Sequence, residues 1–344
     1  MKAQKKIKNH FLKKIFIKLC RLFGFEIIDQ STLEIPTKNK QINEILSEPN
    51  IKSITIPMGE IKITRKIVSL DIFFKFCTTT NIVSQNKDRL FSNEKYEYTL
   101  RSLLSILRSV ENSKKYFKNL KIKIFLLNGG CEKNILSKIE DIFNKFNTDF
   151  QIINVLENSD IQFIDNNVSE NIKSVLLNIY KSFEITKKNS IDLVYYVEDD
   201  YLHDEDAFTE MLFSYEKFSS IIKSEIILCP TDYPYLYNKF ENTKIILGNK
   251  KHWRIVEESL LTFLTSKEII IKYWDLLSFM TKKYSQPFEK PLHEIYKKEY
   301  CFSPIPSLAT HLTNINSIFG LSPMVDWVKI WEKNNPDNIL NETN

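Results

Sequence analysis

An apolar run of strand-forming residues, Leu193-Val194-Tyr195-Tyr196-Val197, ends abruptly in Glu198-Asp199-Asp200. Such a run reads as a strand buried in a sheet. Carboxylates delivered at its end are costly unless they are paired, hydrogen-bonded or bound to a metal. The neighbouring sequence offers no Lys or Arg to balance them. Any fold for this chain must therefore bring three acids to a sheet edge and find them a counter-charge elsewhere.

The residues before that run alternate between two periods. Val68–Thr78 reads as a strand and Asn93–Tyr116 as a helix with Tyr98, Leu103, Leu104, Leu107 and Val110 in its apolar stripe. Strand Lys121–Leu127 follows, closed by Asn128-Gly129-Gly130, then a helix near Lys133–Phe146, strand Phe150–Leu156 and helix Glu170–Phe183. The β-α-β-α-β-α-β order predicts an α/β fold with a mostly parallel sheet flanked by helices. Ligands of such sheets lie beyond the carboxyl ends of the strands. Thr78, Asn128 and Glu198-Asp199-Asp200 are expected to converge there. After the acids, Asp206–Phe218 reads as a helix, Ile226–Leu228 as a short strand, Trp253–Leu264 as extended and Ser266–Lys283 as helical.

With 43% hydrophobic residues, 26% charged residues, 24 Phe and 15 Tyr, the chain has material for a large core. Its net charge of +5 is unevenly spread. Residues 1–25 hold eight Lys/Arg and no acid, which leaves 40 basic and 43 acidic residues for the rest. A slightly acidic body argues against nucleic acid as a partner. Within the basic segment Ile7, Phe11, Ile15, Leu19 and Leu22 fall on one helical stripe, and Gly24 suits a C-terminal stop. A terminal helix docked on the protein's own core fits that pattern. The coincidence of apolar stripe and cationic face favours an amphipathic helix on an anionic membrane surface. Five widely spaced cysteines without a C-x-x-C pair indicate a reducing, cytoplasmic setting, on the cytosolic face of a membrane if the helix binds one. The organisation expected is a basic helix over 1–25, connector and edge elements over 26–66, a β/α half over 67–205, a second half over 206–335 and a tail over 336–344.

Hard divalent cations prefer oxygen ligands, and Mg²⁺ commonly takes one or two carboxylates plus substrate phosphates. Asp200 is the expected direct ligand. Strand alternation places Glu198 on the same side, in reach of the metal, of a metal-bound water or of a nucleotide ribose. Asp199, on the other side, completes the group of cofactor-binding acids. The alternative is a solvated acidic turn that caps the following helix. The six glycines form neither G-x-G-x-x-G nor a P-loop, so phosphates must be held by metal and strand-end loops instead.

A β/α nucleotide domain, a strand ending in Glu198-x-Asp200 in place of D-x-D, and an acceptor-side half resemble GT-A-type glycosyltransferases of the bacterial surface-glycan kind. The likeness covers roughly residues 68–330. It implies Mn²⁺ or Mg²⁺ bridging the diphosphate of a nucleotide-sugar donor, with a glycan or lipid-linked saccharide as acceptor. His311, within Ser307-Leu308-Ala309-Thr310-His311, resembles the late metal- or diphosphate-contacting histidine of some members. Asn128 stands where many members place a base-reading Asp. Arg254, after a glycine-bearing basic loop, is suited to clamp a diphosphate bidentately. An inverting transfer needs a carboxylate base for the acceptor hydroxyl, and Asp232, Glu257 and Glu258 are the candidates. A nucleotidyltransferase shares the α/β sheet and metal-bound acids, but it ordinarily grips phosphate with a Gly/Lys-rich loop after its first strand, which Thr78-Thr79-Thr80 does not provide. A non-catalytic membrane-associated scaffold with a transferase-like fold is the third possibility.

Overall fold

The computed structural model describes residues 10–25, 27, 62–79, 90–156, 168–238, 243–282, 289–313 and 317–341. Two units divide the chain, Met1–Lys62 and Ile63–Asn344. In the first, the described part of the basic segment is helix α1 (His10–Leu22), with Leu12, Ile15, Phe16, Leu19 and Leu22 exposed. Most of the connector expected over 26–66 lies outside the described residues.

The second unit is built on strands that bury both faces. β1 (Ser69–Phe76) pairs in parallel with β2 (Lys121–Asn128) on one side and β4 (Leu193–Glu198) on the other, and β3 (Asp149–Asn154) extends the parallel set beyond β2. Side chains alternate between two cores, as the pleat requires. Leu70, Ile72 and Phe74 of β1, with Leu193, Tyr195 and Val197 of β4, face one core. That core is closed by α2 (Lys95–Lys114), α3 (Lys133–Asn144) and, later in the chain, α5 (Ala207–Ile222). Phe73, Val194 and Tyr196 face the other, closed by α4 (Glu170–Asn189). There Phe73 stacks between its cross-strand neighbours Phe125 and Tyr196, at centroid distances of 5.0 and 5.3 Å. Aromatic pairs of this kind add about 0.5–1.5 kcal/mol each beyond area burial, and here they lock the register of three strands.

Past β4 the sheet continues through shorter strands. β5 (Tyr201–His203) leaves the main sheet, while β6 (Ile227–Leu228), β7 (Ile245–Leu247), β8 (His252–Ile255), β9 (Phe263–Ser266) and β10 (Cys301–Ile305) extend it. The nine-stranded order is β3-β2-β1-β4-β9-β6-β10-β8-β7. β9 runs antiparallel to both β4 and β6, so β6 and its parallel neighbour β10 point the same way as β4. The carboxyl ends of β1, β2, β4, β6 and β10 consequently share one edge. β11 (Ala309–His311) pairs antiparallel with β5 as a separate two-stranded ribbon beside that edge. The long extended piece expected over Trp253–Leu264 is two strands, β8 and β9, joined by an irregular segment. The helix expected over Ser266–Lys283 is two, α6 (Lys267–Lys272) and α7 (Trp274–Lys282), broken at Tyr273. α8 (Lys290–Lys298), α9 (Trp327–Lys333) and α10 (Asp337–Leu340) complete the chain.

His203, in β5, is 2% exposed, with Nε2 2.6 Å from the Tyr195 hydroxyl and its ring stacked on Phe208. Burial holds its imidazole far below the ordinary 6.5, at about 3. Between those values the unfolded chain binds a proton that the folded chain refuses. Its contribution to stability is therefore complete above pH 6.5 and declines as pH falls, by about 1.4 kcal/mol per pH unit. Urea unfolding at pH 7 and pH 5 should show a steeper loss in the wild-type protein than in His203→Phe; equal slopes would contradict it.

Candidate functional site

Helix α2 carries a buried stripe of hydroxyls, Thr99, Ser102, Ser105 and Ser109, on the face turned toward the chain that leaves β4. Their spacing keeps them on one side of the helix. Thr99 Oγ1 donates to Asp199 Oδ2 at 2.8 Å, and Ser102 Oγ donates to the Tyr201 carbonyl at 2.7 Å. The His203 amide donates to Ser105 Oγ and the Phe208 amide to Ser109 Oγ, each at 3.0 Å. The segment from Asp199 to Phe208 is thus pinned along the helix, and the acid cluster has a fixed direction.

Asp199 points into that helix. Besides Thr99 it takes the Lys95 ammonium on Oδ1 and the Cys77 amide on Oδ2, the latter at 3.2 Å. Asp200 points the other way. Its Oδ2 lies 3.2 Å from His311 Nε2, across 111 residues of sequence, and its Oδ1 is buried without a partner. The Nδ1–H of His311 donates to the Phe319 carbonyl at 2.7 Å, which aims Nε2 at Asp200. The His311 ring lies flat on Tyr201, at a centroid distance of 4.6 Å, and the Tyr201 hydroxyl is 2.8 Å from that of Tyr233. Burial alone would push the Asp200 carboxyl up; the charge and hydrogen bond of His311 outweigh it and hold it at about 2. The reverse holds for His311, where burial works against the charged form but Asp200 raises its affinity for a proton above the ordinary range.

Glu198 shares the Asp200 side, as strand alternation predicts. It stands in register with Lys75 on β1. Burial raises the Glu198 carboxyl, with Lys75 pulling it down and Asp200 pushing it up. Lys75, only 7% exposed, is lowered by burial while Glu198, Asp200 and Glu289 pull it back. Glu289, just before α8, is pushed up to about 7 by burial first and then by Glu198. Two lysines therefore supply the counter-charges absent from the local sequence, Lys95 to Asp199 and Lys75 to Glu198. Both left a trace in the sequence. Lys75 is a lone charge inside Phe73-Phe74-Lys75-Phe76, and Lys95 is a cation in the first turn of a helix, where the dipole disfavours it. Glu289 left none.

The remaining predicted residues are placed as follows. Thr78 lies at the same edge, its amide donating to the Gly130 carbonyl and its hydroxyl to Cys131 Sγ at 3.2 Å. Asn128 donates to Asn154 Oδ1 and accepts from the Gly130 amide, both at 3.0 Å. Asp232 is fully buried, where its carboxylate takes Arg254 Nη2 on one oxygen and the Tyr237 hydroxyl on the other. Arg254 is thus drawn to Asp232 and lies over the Tyr237 ring at 4.7 Å. Glu257 is exposed, and Glu258 is half-buried with its carbonyl accepting from Tyr235. The glycine-bearing loop before Arg254 wraps the buried Glu210 carboxylate, which accepts from the amides of Asn249, Lys250 and Lys251. A Cβ at Gly248 would stand 2.4 Å from Glu210 Oε1, so glycine is required by that close approach.

Among the described residues, no group of three or more His, Cys, Asp or Glu side chains gathers to hold a metal ion. Asp200 and His311 nevertheless fit two positions of a divalent cation's shell. Asp200 Oδ1 is a buried acceptor without a donor, and a neutral His311, its Nδ1–H held by Phe319, carries its lone pair on Nε2, 3.2 Å from the other oxygen of Asp200. The other positions would fall to phosphate oxygens and water.

No family model and no curated protein sequence matches the chain. Solved structures similar to it include the glycosyltransferase GlyE of Streptococcus pneumoniae TIGR4, with 12% identity, a TM-score of 0.41, and 81% of this chain and 63% of that one covered. Another is the galactosyltransferase LgtC in complex with donor and acceptor sugar analogs, with 11% identity, a TM-score of 0.34, and coverage of 79% and 95%. A UDP-glucose pyrophosphorylase complexed with UDP-glucose overlaps at 7% identity and a TM-score of 0.37, with coverage of 80% and 100%. The chain spans less than two thirds of GlyE. At such scores no activity or substrate transfers from these proteins, and the α/β assignment stands on strand order and register.

Asp199 and Asp200 differ in what their loss should do. Asp199→Ala leaves the half-buried Lys95 unpaired and Thr99 without its acceptor, and should cost about 2–4 kcal/mol of stability. Asp200→Asn, at a pair whose carboxylate side chain is 32% exposed, should cost no more than about 1 kcal/mol. Chemical denaturation of the two variants checks the difference, and similar losses would refute it.

Proposed function

We propose that this protein is a metal-assisted glycosyltransferase that moves a sugar from a nucleotide-diphosphate donor to a hydroxyl of a glycan or lipid-linked acceptor. The observation that carries the reading is the meeting of Asp200 and His311 at the carboxyl edge of a parallel sheet, with His311 oriented from behind by Phe319 and Tyr201. Open α/β sheets bind ligands at that edge, and no glycine-rich phosphate loop competes for the role.

Asp200 and His311 would hold Mn²⁺ or Mg²⁺. Bound there, the cation would draw charge from the departing diphosphate. The chain's own residues do the rest. Thr78 and Asn128 line the strand ends where the nucleoside would lie. Lys75, beside Glu198, offers positive charge at the same edge. Glu289 is the carboxyl best suited to take a proton from the acceptor hydroxyl, because its affinity for a proton near pH 7 matches that task. Asp232 is less suited, since Arg254 and Tyr237 already occupy its oxygens.

UDP- and GDP-sugars should raise the melting temperature in the presence of Mn²⁺ and much less in EDTA. Asp200→Asn and His311→Ala should remove the metal-dependent part and cut Mn²⁺-dependent donor hydrolysis at least a hundredfold. Glu289→Gln should keep the thermal shift while slowing transfer. Undiminished hydrolysis by Asp200→Asn would overturn the metal role.

The helix α1 supports placement on the cytosolic face of a membrane. Exposed Leu12, Ile15, Phe16 and Leu19 accompany exposed Lys18 and Arg21, a composition that binds anionic lipid. Among the described residues no helix is long and apolar enough to cross a membrane. Vesicles containing phosphatidylserine should sediment the full chain but not one lacking residues 1–25, and equal sedimentation would contradict this placement.

A further inference from the structure

The ribbon formed by β5 and β11 has two ends. Tyr201 and His311 stand opposite each other at the end just described, and His203 and Ala309 at the other. Beside this second end lies a cleft of about 470 Å³ between α2, the turn from β5 into α5, and α9. It opens beside a second hollow of about 510 Å³ that shares Arg108, Asn112 and Glu205 with it. Neither is lined by Lys75, Glu198, Asp200, Glu289 or His311.

The charges around the cleft are unequally used. Each of its four acids already has a donor from the protein. Asp206 takes Asn112 Nδ2 at 2.7 Å and Lys250 Nζ at 2.8 Å, and Glu205 takes Lys333. Asp204 Oδ1 accepts the Asp206 amide at 2.9 Å, and Asp326 Oδ1 caps α9 through the Lys329 amide at 3.0 Å. Of the lining cations, Lys333 is held by Glu205, and the charge of Lys251 acts on Asp206. The side chains of Arg108, Lys251 and Lys329 all line the cleft, and none makes a hydrogen bond or ion pair with a described residue. Arg108 is also half-buried, so its planar fork is partly withdrawn from bulk water. The side chains of an arginine and two lysines at the cleft thus have no hydrogen-bonded acceptor among the described residues, although carboxylates stand nearby.

One wall residue asks for the opposite. Asn334 is 2% exposed, its amide nitrogen donates to the Ile330 carbonyl at 2.8 Å, and its Oδ1 is buried without a partner. A ligand that satisfies the whole cleft brings an anion for the cations and a hydroxyl for Asn334. Phosphate suits the anionic part, since guanidinium binds its oxygens in pairs and ammonium as a point charge. We propose that this cleft is a second binding site, distinct from the Asp200–His311 edge, for a phosphorylated sugar or polyol. The phosphate sits against Arg108, Lys251 and Lys329, and a hydroxyl donates to Asn334 Oδ1. A free sugar phosphate and a phosphate carried within a glycan chain present the same chemistry.

Calorimetric titration of the full chain in EDTA keeps the metal-assisted edge out of the measurement. Glucose 6-phosphate should bind saturably and at least fivefold more tightly than inorganic phosphate, since only the former carries alcohol hydroxyls that can reach Asn334 while its phosphate is seated on the cations. Arg108→Gln should weaken it at least tenfold, Lys329→Gln, at an exposed position, at least threefold, and Asp200→Asn should leave it unchanged. A glycerol-phosphate oligomer joined by phosphodiesters, titrated in parallel, identifies the source. Tighter binding of the monoester assigns the site to a free metabolite, tighter binding of the oligomer to a phosphate within a chain, and both uphold it. Absence of saturable binding by any of the three ligands overturns the proposal. So does binding that survives both Arg108→Gln and Lys329→Gln, or that is lost in Asp200→Asn. These outcomes are independent of donor-sugar turnover, so the transferase reading and this one fail separately.

Discussion

The hydroxyl stripe of α2 fixes where everything beyond β4 goes. Thr99, Ser102, Ser105 and Ser109 are buried, and each satisfies a polar group of the segment Asp199–Phe208. Unmade bonds there would cost about 1–3 kcal/mol apiece, because neither partner reaches water. A short two-stranded ribbon such as β5/β11 is marginal by itself. Here it is held from α2 on one side and from Pro230 on the other, whose carbonyl accepts the Leu308 and Ala309 amides. The ribbon in turn sets His311 opposite Tyr201, and from that follows the meeting of His311 with Asp200.

Opposed directions for neighbouring acids then become a division of labour. Asp199 is consumed by Lys95, Thr99 and the Cys77 amide, which ties the end of β4 to the start of α2 and the end of β1. Asp200, one residue on, is spared that duty and keeps an oxygen without a donor. Three carboxylates side by side would repel one another. Separating Asp199 to the far side of the turn and placing Lys75 beside Glu198 lets the cluster exist in the absence of any ligand. A buried lysine of lowered proton affinity and a neighbouring carboxyl of raised affinity indicate that burial outweighs their mutual attraction.

Much of this architecture is legible in the amino-acid sequence, and what is not has a physical cause. The first four strands and their helices are long, strongly periodic and local, so Val68–Thr78, Lys121–Leu127 and Asp192–Val197 are recognisable within a residue or two of β1, β2 and β4. Ile226–Leu228 is likewise recognisable as β6, whereas the short strands β5, β7 and β11 have three residues each, too few to show a period. Their existence depends on partners far away in sequence, as with His311 and Tyr201. Asp200 and His311 are recognisable as a pair only through the family likeness, because nothing local connects positions 111 residues apart. Lys75 and Lys95 are visible as anomalies, a charge in an apolar strand and a cation at a helix start. Glu289 and the cationic cleft around Arg108 arise from tertiary packing alone.

The two ends of the β5/β11 ribbon also bear on one another. The end that faces Asp200 carries Tyr201 and His311, and two residues along β5, His203 lines the cleft that holds Arg108. His203 is neutral by burial and wedged between Tyr195 and Phe208, so the strand between the sites has little freedom to slide. Ser307 reinforces this, since its hydroxyl donates to the Ala309 carbonyl at 2.6 Å and accepts from the Asp232 amide at 2.9 Å. Coupling between distant sites needs an element whose position both ligands bias. In this protein β5 reaches the cleft through His203, and Ser307, two residues before β11, lines it as well. With the strand held by Tyr195, Phe208 and the α2 hydroxyls, the ribbon acts as a fixed divider, and the cleft and the Asp200–His311 edge are set by the same contacts while remaining separate.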